Sequence, residues 1–233
     1  MILTGVLINA AAVAAGGVLG TLGGRFMPEK MKQTVLAATG LVSIGIGISG
    51  AIGSSKQLIP NLSLVIGSVI GELLHIEDGV TRAGDWLQKR FGKSGSITEG
   101  FVTGSPGLAA GATEPDAAGA MAVMGALESG LKNDHTILMT KSVIDMAGSV
   151  AFAGSLGIGV AFSALSILVL EGTVALLASL LTGVLTEAVI TEISVTGSLL
   201  IIGIGLNVLG LTKLRIMNMA PALLLPILLC RFM

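Results

Sequence analysis

Long apolar stretches alternate with short polar segments along the whole chain, and this pattern predicts a bundle of membrane helices. The apolar runs that we interpret as helical spans cover residues 3–24, 35–53, 60–74, 136–156, 160–182, 193–211 and 219–229. Residues 77–93 differ, because acidic and basic residues alternate there around Trp86. That segment is typical of an amphipathic helix lying at the membrane interface.

Residues 99–130 form an apolar run that is interrupted between positions 106 and 118, where Pro106 and the sequence Glu114-Pro115-Asp116 stand. A continuous lipid-facing helix does not fit this segment, because irregular backbone at membrane depth must be shielded from lipid. Two half-helices meeting in a protein-lined cavity would give eight spans, whereas a re-entrant segment would give seven. The sequence thus predicts an all-α polytopic transmembrane helix bundle of about eight spans, as a single membrane domain over residues 1–233.

Charged residues stand inside two of the apolar runs. Lys141 and Asp145 lie four residues apart, and so on one helix face, while Glu171 lies in the following run. A charge at membrane depth costs about 2.5 to 3.5 kcal/mol, so it is rarely kept without a partner or a function. The glycines around Gly157 favour a tight turn, which predicts an antiparallel helical hairpin. Counted from this turn, both carboxylates lie about 15 Å deep.

Asp145 and Glu171 are therefore the predicted centre of a binding site for a small ion or solute. Two close carboxylates can share a cation or a proton. Lys141 would be their internal counter-charge, and Asn9 and Asn207 would supply polar lining. The leading functional prediction is a cation- or proton-coupled secondary transporter or channel. The alternative is a non-transporting membrane scaffold or signalling protein, in which the buried ion pair only fixes helix packing.

Composition supports a membrane protein and argues against several other classes. Hydrophobic residues make up 52% of the chain and charged residues 12%, with a mean hydropathy of +0.93, whereas charged residues reach about 25% in soluble domains. A net charge of -1 and an aromatic content of 3% argue against nucleic-acid binding. The lipid bilayer is therefore the expected partner surface, and no nucleic acid is expected.

No signature of a soluble enzyme is present, so we predict no enzymatic activity, no catalytic residues and no cofactor. The glycine pairs lack the lysine and hydroxyl that complete a phosphate-binding loop. His75 and His135 are too far apart to suggest a metal site, and the single cysteine, Cys230, excludes a disulfide within one chain.

The chain contains 34 glycines, which suit close packing of membrane helices. Gly16, Gly20 and Gly24 form two overlapping GxxxG motifs on one face of the first span. This face predicts close packing against a neighbouring helix, and it also permits a homo-oligomer.

The basic residues predict the orientation in the membrane. Loops after spans one, three, five and seven hold about nine of the 13 basic residues, and the opposite side holds about three. Both termini are then expected to face outside. The same bias results if residues 99–130 are re-entrant, so it does not decide between seven and eight spans.

An internal repeat relates the first and last spans. The sequence Ile44 to Ile48 reappears at 202–206 with one Leu for Ile, and Glu29 falls on Glu187 at the same offset. Repeat one would cover 1–76 and repeat two 160–233, separated by the amphipathic helix at 77–93 and by the helices of 99–156. With eight spans the copies would be inverted in the membrane, as in many secondary transporters.

Several segments resemble the uncharacterised family of bacterial multi-pass inner-membrane proteins typified by YdfK and YqgA. The matching segments, which cover nearly the whole chain, are the first span through Glu29, the Gly71-Glu72-Leu73-Leu74 sequence with Glu77, residues 99–102, 119–122 and 125–127, Thr140-Lys141-Ser142 with Asp145, residues 157–160 and residues 203–207. The resemblance implies a location in the bacterial inner membrane. The family is sometimes labelled as possible transport proteins, but it has no established reaction, so the resemblance implies none for this chain. Residues 106–118 depart from the family, which has a short apolar run there, so this segment is either a helix break or a local irregularity of the sequence.

Overall fold

A computed structural model describes residues 3–54, 56–91, 97–109, 135–180 and 185–232 of the chain. In these ranges the regular elements are α1 (Thr4–Gly24), α2 (Glu29–Ala51), α3 (Leu58–Leu74), α4 (Ile76–Phe91), α5 (Ile97–Ala109), α6 (Thr136–Leu156), α7 (Gly159–Phe162), α8 (Ala164–Leu180), α9 (Glu187–Val208), α10 (Ile216–Met219), the 3-10 helix Ala220–Leu223 and α11 (Leu225–Leu229). The all-α prediction is confirmed for these residues.

Helices α1 and α6 pack side by side and parallel. The glycines of the GxxxG motifs face α6: Gly16 contacts Met146, Gly20 contacts Val150 and Gly24 contacts Gly154. Residue numbers increase together along the two helices, which therefore run parallel. A Cβ added at Gly20 would lie 2.8 Å from the Val150 Cα, so the two backbones touch. The predicted close-packing face is therefore occupied by a helix of the same chain.

Helices α2 and α9 pack antiparallel through a second pair of glycines. A Cβ on Gly47 would lie 2.6 Å from Ile202 Cγ1, and a Cβ on Gly205 would lie 2.6 Å from Ile44 Cγ1. Thr186 caps the start of α9 by accepting a hydrogen bond from the Val189 N–H. Most of α9 is buried, whereas α2 exposes much of its apolar surface, as expected for a helix that faces lipid.

The amphipathic helix predicted at 77–93 is α4, which ends at Phe91, and residues 92–96 lie outside the described residues. It follows α3 with a bend of 51°. His75 ends α3 in the left-handed conformation, with φ of 51°. Leu87 packs on Phe101 of α5, while Trp86 is exposed. These positions fit the predicted interfacial helix.

The predicted hairpin around Gly157 is present, with its second run divided. The first arm, α6, has the predicted bounds, and Gly157 turns the chain with φ of 79°. The second arm breaks at Ser163, between α7 and α8, where the hydroxyl donates a hydrogen bond of 2.5 Å to the Val160 carbonyl. Such side-chain bonding to the backbone competes with helix continuation.

The last predicted span, 219–229, is a chain of three short helical pieces rather than one helix. Pro221 and Pro226 lack the N–H donors that a continuous helix needs, and each stands at the start of a new piece. This segment packs antiparallel on α3, where a Cβ on Gly67 would lie 2.6 Å from the Ala222 Cβ.

Within the described ranges, three helices are long and apolar enough to cross a membrane: Thr4–Gly24, Glu29–Ala51 and Glu187–Val208. The bent pair α3 and α4 would be a fourth if it forms one span. Helix α5 continues through Pro106 to Ala109, and the rest of the interrupted region, 110–130, lies outside the described residues. The prediction of seven or eight spans therefore stays a prediction.

Candidate functional site: a charged cluster between three helices

Three helices bring four of the five predicted site residues together. Lys141 and Asp145 lie on one face of α6, with both side chains 0% exposed. Asn9 lies on α1, which packs parallel to α6, and is also fully buried. Glu171 lies on α8, with 4% of its surface exposed. We call Asn9, Lys141, Asp145 and Glu171 the charged cluster.

The Lys141 ammonium lies between the two carboxylates. It donates to Asp145 Oδ2, one helical turn along α6. Its Nζ also lies 2.9 Å from Oε1 of Glu171 on the neighbouring helix. The hairpin of α6 and α8 is thus closed by an ion pair that joins both of its arms.

The Asn9 amide joins the same carboxylates from the side of α1. Its Nδ2 donates to Asp145 Oδ2 at 2.8 Å and to the two oxygens of Glu171 at 3.2 and 3.0 Å. Its Oδ1 is buried and has no hydrogen-bond partner among the described residues. A buried carbonyl oxygen normally has a donor or a cation beside it, so this atom is an unused ligand of the cluster.

The charge of the cluster is not balanced by its own members. Two carboxylates and one ammonium carry a net charge of about −1 if all three are ionised. Val13 stands one turn after Asn9 on α1 and Ile167 one turn before Glu171 on α8, and both belong to a buried apolar core. Because a buried charge without compensation is costly, one proton or one monovalent cation would stabilise this arrangement.

The cluster lies inside the helices rather than at their ends. Lys141 stands about 8 Å and Asp145 about 14 Å from the start of α6, at 1.5 Å per residue. Asn9 stands about 8 Å from the start of α1. The side chains therefore meet at a level where lipid would surround an isolated helix.

Asn207 lies apart from the cluster, at the end of α9. Its Nδ2 donates to the Leu214 carbonyl at 2.7 Å, and its Oδ1 accepts from Thr212 Oγ1 and from the Leu214 N–H, both at 2.8 Å. The side chain closes the loop after α9, and the structure gives it no contact with the charged cluster.

Two further charged groups were missed by sequence reasoning. Glu192, read from the sequence as part of a polar loop, is 2% exposed inside α9, where it accepts a hydrogen bond of 2.7 Å from Ser54. Arg215 pairs with Glu72 at 2.5 Å and with Asp78, and so ties α3 and α4 to the segment before α10. Glu192 stands five residues after the exposed Glu187, about 140° around the helix from it, but the sequence does not tell which of the two faces is buried. Nothing in the sequence pairs Arg215 with residues near position 75.

Comparison with known proteins gives the family. The family model described as "Protein of unknown function (DUF554)" matches residues 4–231, a range that includes the whole charged cluster. The chain belongs to the DUF554 family.

Two curated relatives cover nearly the whole chain. "Uncharacterized protein YqgA" of Escherichia coli (strain K12) is 32% identical over 223 residues, which are 95% of this chain and 93% of the relative. "Uncharacterized membrane protein YdfK" of Bacillus subtilis (strain 168) is 26% identical over 226 residues, again 95% and 93%. No solved structure matches the chain. The resemblance found in the sequence is therefore confirmed, together with the assignment to membrane proteins.

Proposed function

We propose that this DUF554 protein moves a small monovalent cation or a proton across the membrane, with the charged cluster as its binding site. The observation that carries the proposal is the buried set of two carboxylates and one ammonium from α6 and α8, which carries one negative charge when all three groups are ionised. A site that needs a proton or a cation to be neutral changes its charge whenever that ion enters or leaves. This change is what couples binding to transport.

The ligands available in the cluster are oxygens. Asp145, Glu171 and the unpartnered Oδ1 of Asn9 are hard donors, which suit Na⁺, K⁺ or a proton better than a soft transition metal. Lys141 would hold the carboxylates together while the ion is absent. No group of three or more His, Cys, Asp or Glu side chains in the described part of the chain is arranged for a metal ion.

The proposal includes the inverted repeat predicted from the sequence, since such repeats are common in carriers. Gly47 contacts Ile202 and the Ser198 carbonyl, and Gly205 contacts Ile44 and the Gly40 carbonyl. The offset that aligns Glu29 with Glu187 also aligns Gly47 with Gly205, Ile44 with Ile202 and Gly40 with Ser198. Each contact in the first set therefore corresponds to a contact in the second set. Reciprocal contacts between antiparallel helices are what a two-fold axis in the membrane plane would produce.

The proposal includes a multi-pass arrangement in the bacterial inner membrane, without enzymatic activity. Basic residues of the described ranges gather at the end of the bundle where α1, α3 and α9 end, namely Arg25, Lys30, Lys32, Arg82, Lys89, Arg90, Lys213 and Arg215. Lys56 and Arg231 lie at the other end. The positive-inside rule places the first end in the cytoplasm. A homo-oligomer stays a prediction, although α6 covers the glycines that suggested it.

Cysteine labelling tests this orientation. In a Cys230→Ser background, Lys30→Cys and Gln57→Cys each put one thiol on an exposed position at opposite ends of α2. A membrane-impermeant maleimide is expected to label Gln57→Cys in intact cells and Lys30→Cys only after permeabilisation. The reverse result would show that the basic end faces outside.

Ion flux in proteoliposomes tests the transport proposal. Asp145→Asn and Glu171→Gln each remove one ionised carboxylate while keeping the shape of the side chain. We expect each to lower the flux of Na⁺, Rb⁺ or protons, measured with isotopes or an entrapped pH dye, by about tenfold or more, since about 1.4 kcal/mol of lost binding is tenfold.

Glu187→Gln is the matched control, because Glu187 is an exposed carboxylate in the first turn of α9. It is expected to leave the flux unchanged. Equal flux from both cluster variants and from the unmodified protein would refute the assignment of the cluster as the site.

The second candidate function is a membrane scaffold or signalling protein, in which the charged cluster has only a structural role. Lys141 contacts both carboxylates directly and all three side chains are buried, as in an ion pair that only orients helices. A scaffold or signalling protein with this cluster would show no ion flux that depends on Asp145 or Glu171. The same variants therefore separate the two functions.

A further inference from the structure

We propose that a half-open cavity at the basic end of the bundle binds a small zwitterionic solute with an apolar side chain, such as an aliphatic amino acid. The cavity has a volume of about 280 Å³ and lies between α4, α5, α9 and the segment 212–217. It is a second site, separate in its residues from the charged cluster, and it goes beyond the proposed ion transport.

The cavity carries one acidic and one basic side chain. Glu77 belongs to the first turn of α4 and is half-buried, and Lys213 belongs to the loop after α9 and is exposed. Among the described residues, Lys213 forms no ion pair, and the hydroxyl of Thr103 forms no hydrogen bond. These two groups are therefore available to a ligand.

Glu77 is held in place without being fully neutralised. Its Oε2 accepts a hydrogen bond of 3.3 Å from the Met217 N–H, and its Oε1 lies 3.9 Å from Nε of Arg215. Arg215 also pairs with Glu72 and Asp78, so one guanidinium serves three carboxylates. The neighbourhood of Glu77 keeps a negative charge that favours an ammonium group.

Burial raises the pKa of Glu77 above its ordinary value, and the nearby Asp78 and Glu72 add to this, while the Met217 N–H and Arg215 oppose it. The ionised form of a partly buried carboxylate is stabilised when a positively charged group binds beside it. A ligand ammonium would supply that charge.

Most of the remaining wall is apolar and is formed by Val102, Ile204, Leu214, Ile216 and Met217. Asn207 and Thr212 also line the cavity, and their side chains are hydrogen-bonded to each other. Small-molecule sites are typically apolar with a few charged or polar groups that fix orientation, and a cavity of about 280 Å³ stands at the small end of their size range, which suits a small solute. A lone anion would pair with Lys213 but stand near the like charge of Glu77, and a lone cation would do the reverse. A solute carrying both charges pairs with both groups, and its aliphatic group meets the apolar wall, so it fits best.

Binding of tritiated L-leucine to the purified full-length protein in detergent tests this inference. Saturable binding is expected, with isocaproate and isopentylamine, which carry only the carboxylate or only the ammonium, competing at least about tenfold more weakly. Glu77→Gln and Lys213→Met are each expected to weaken leucine binding at least about tenfold. Because Lys213 is exposed, its variant tests the site even if Glu77→Gln does not fold.

Three controls complete the experiment. Lys89→Met and Glu187→Gln remove exposed charges away from the cavity and are expected to leave leucine binding unchanged. Asp145→Asn is expected to keep leucine binding even where it abolishes ion flux, so failure of either proposal is recognised separately. Absence of saturable binding, equal binding of a singly charged analogue, or unchanged binding in both Glu77→Gln and Lys213→Met would each overturn the inference.

Discussion

Replacing Lys141 with methionine is expected to lower the free energy of unfolding by about 3–5 kcal/mol, because it leaves two buried carboxylates without their shared cation. Lys141 contacts both Asp145 and Glu171 and is fully buried, so water cannot take its place without opening the bundle. The measurement is thermal or denaturant unfolding of the purified protein in one detergent.

Two matched variants show whether the loss comes from charge. Lys32→Met removes a lysine whose 2.7 Å pair with Glu29 lies at the surface, and it is expected to cost less than about 1 kcal/mol. The triple variant Lys141→Met, Asp145→Asn, Glu171→Gln removes all three charges, and much of the stability is expected to return. Transport is expected to stay absent in that triple variant. A Lys141→Met protein as stable as the unmodified one would contradict the buried ion pair.

Gly47→Ala and Gly205→Ala are each expected to lower the free energy of unfolding by about 1–3 kcal/mol, because a methyl group at either position overpacks the crossing of α2 and α9. The new Cβ would lie 2.7 Å from the Ser198 carbonyl oxygen in the first case and 2.7 Å from the Gly40 carbonyl oxygen in the second. Backbone atoms cannot move aside as a flexible side chain would. The two variants are expected to cost similar amounts, since their surroundings correspond to each other.

Gly45→Ala is the matched control for this crossing. It lies on α2 only two residues from Gly47, but nothing stands within 4 Å of its Cβ position. The variant is expected to be neutral or slightly stabilising, because alanine favours a helix over glycine. Equal losses at Gly45 and Gly47 would mean that α2 and α9 do not cross as described.

The charged cluster depends on the helix crossings that the glycines form. The glycines bring helix backbones into contact, which fixes the relative heights of α1 and α6 and of α2 and α9. The heights then decide whether Asn9 can reach Asp145. We therefore expect any substitution that shifts α1 along α6 to weaken ion binding as well as stability.

Much of the fold could be predicted from apolar patterning. The bounds of α6 and the turn at Gly157 follow from an apolar run that ends at a glycine cluster. The break at Ser163 could not be predicted in this way, since a serine hydroxyl can bond to its own helix or leave it without any change in hydropathy. The division of the last segment could have been predicted from Pro221 and Pro226, which remove backbone donors.

The sequence by itself determined that this is a helical membrane protein and placed Asp145 and Glu171 at one depth of a predicted hairpin, because helix rise and apolar run length are local properties. Only the tertiary structure decided that Asn9 joins them and that Asn207 does not. Which helix faces which depends on contacts between residues more than a hundred positions apart, such as those of Asn9 with Glu171. Such contacts are set by the close approach of glycine faces, and no local pattern records them.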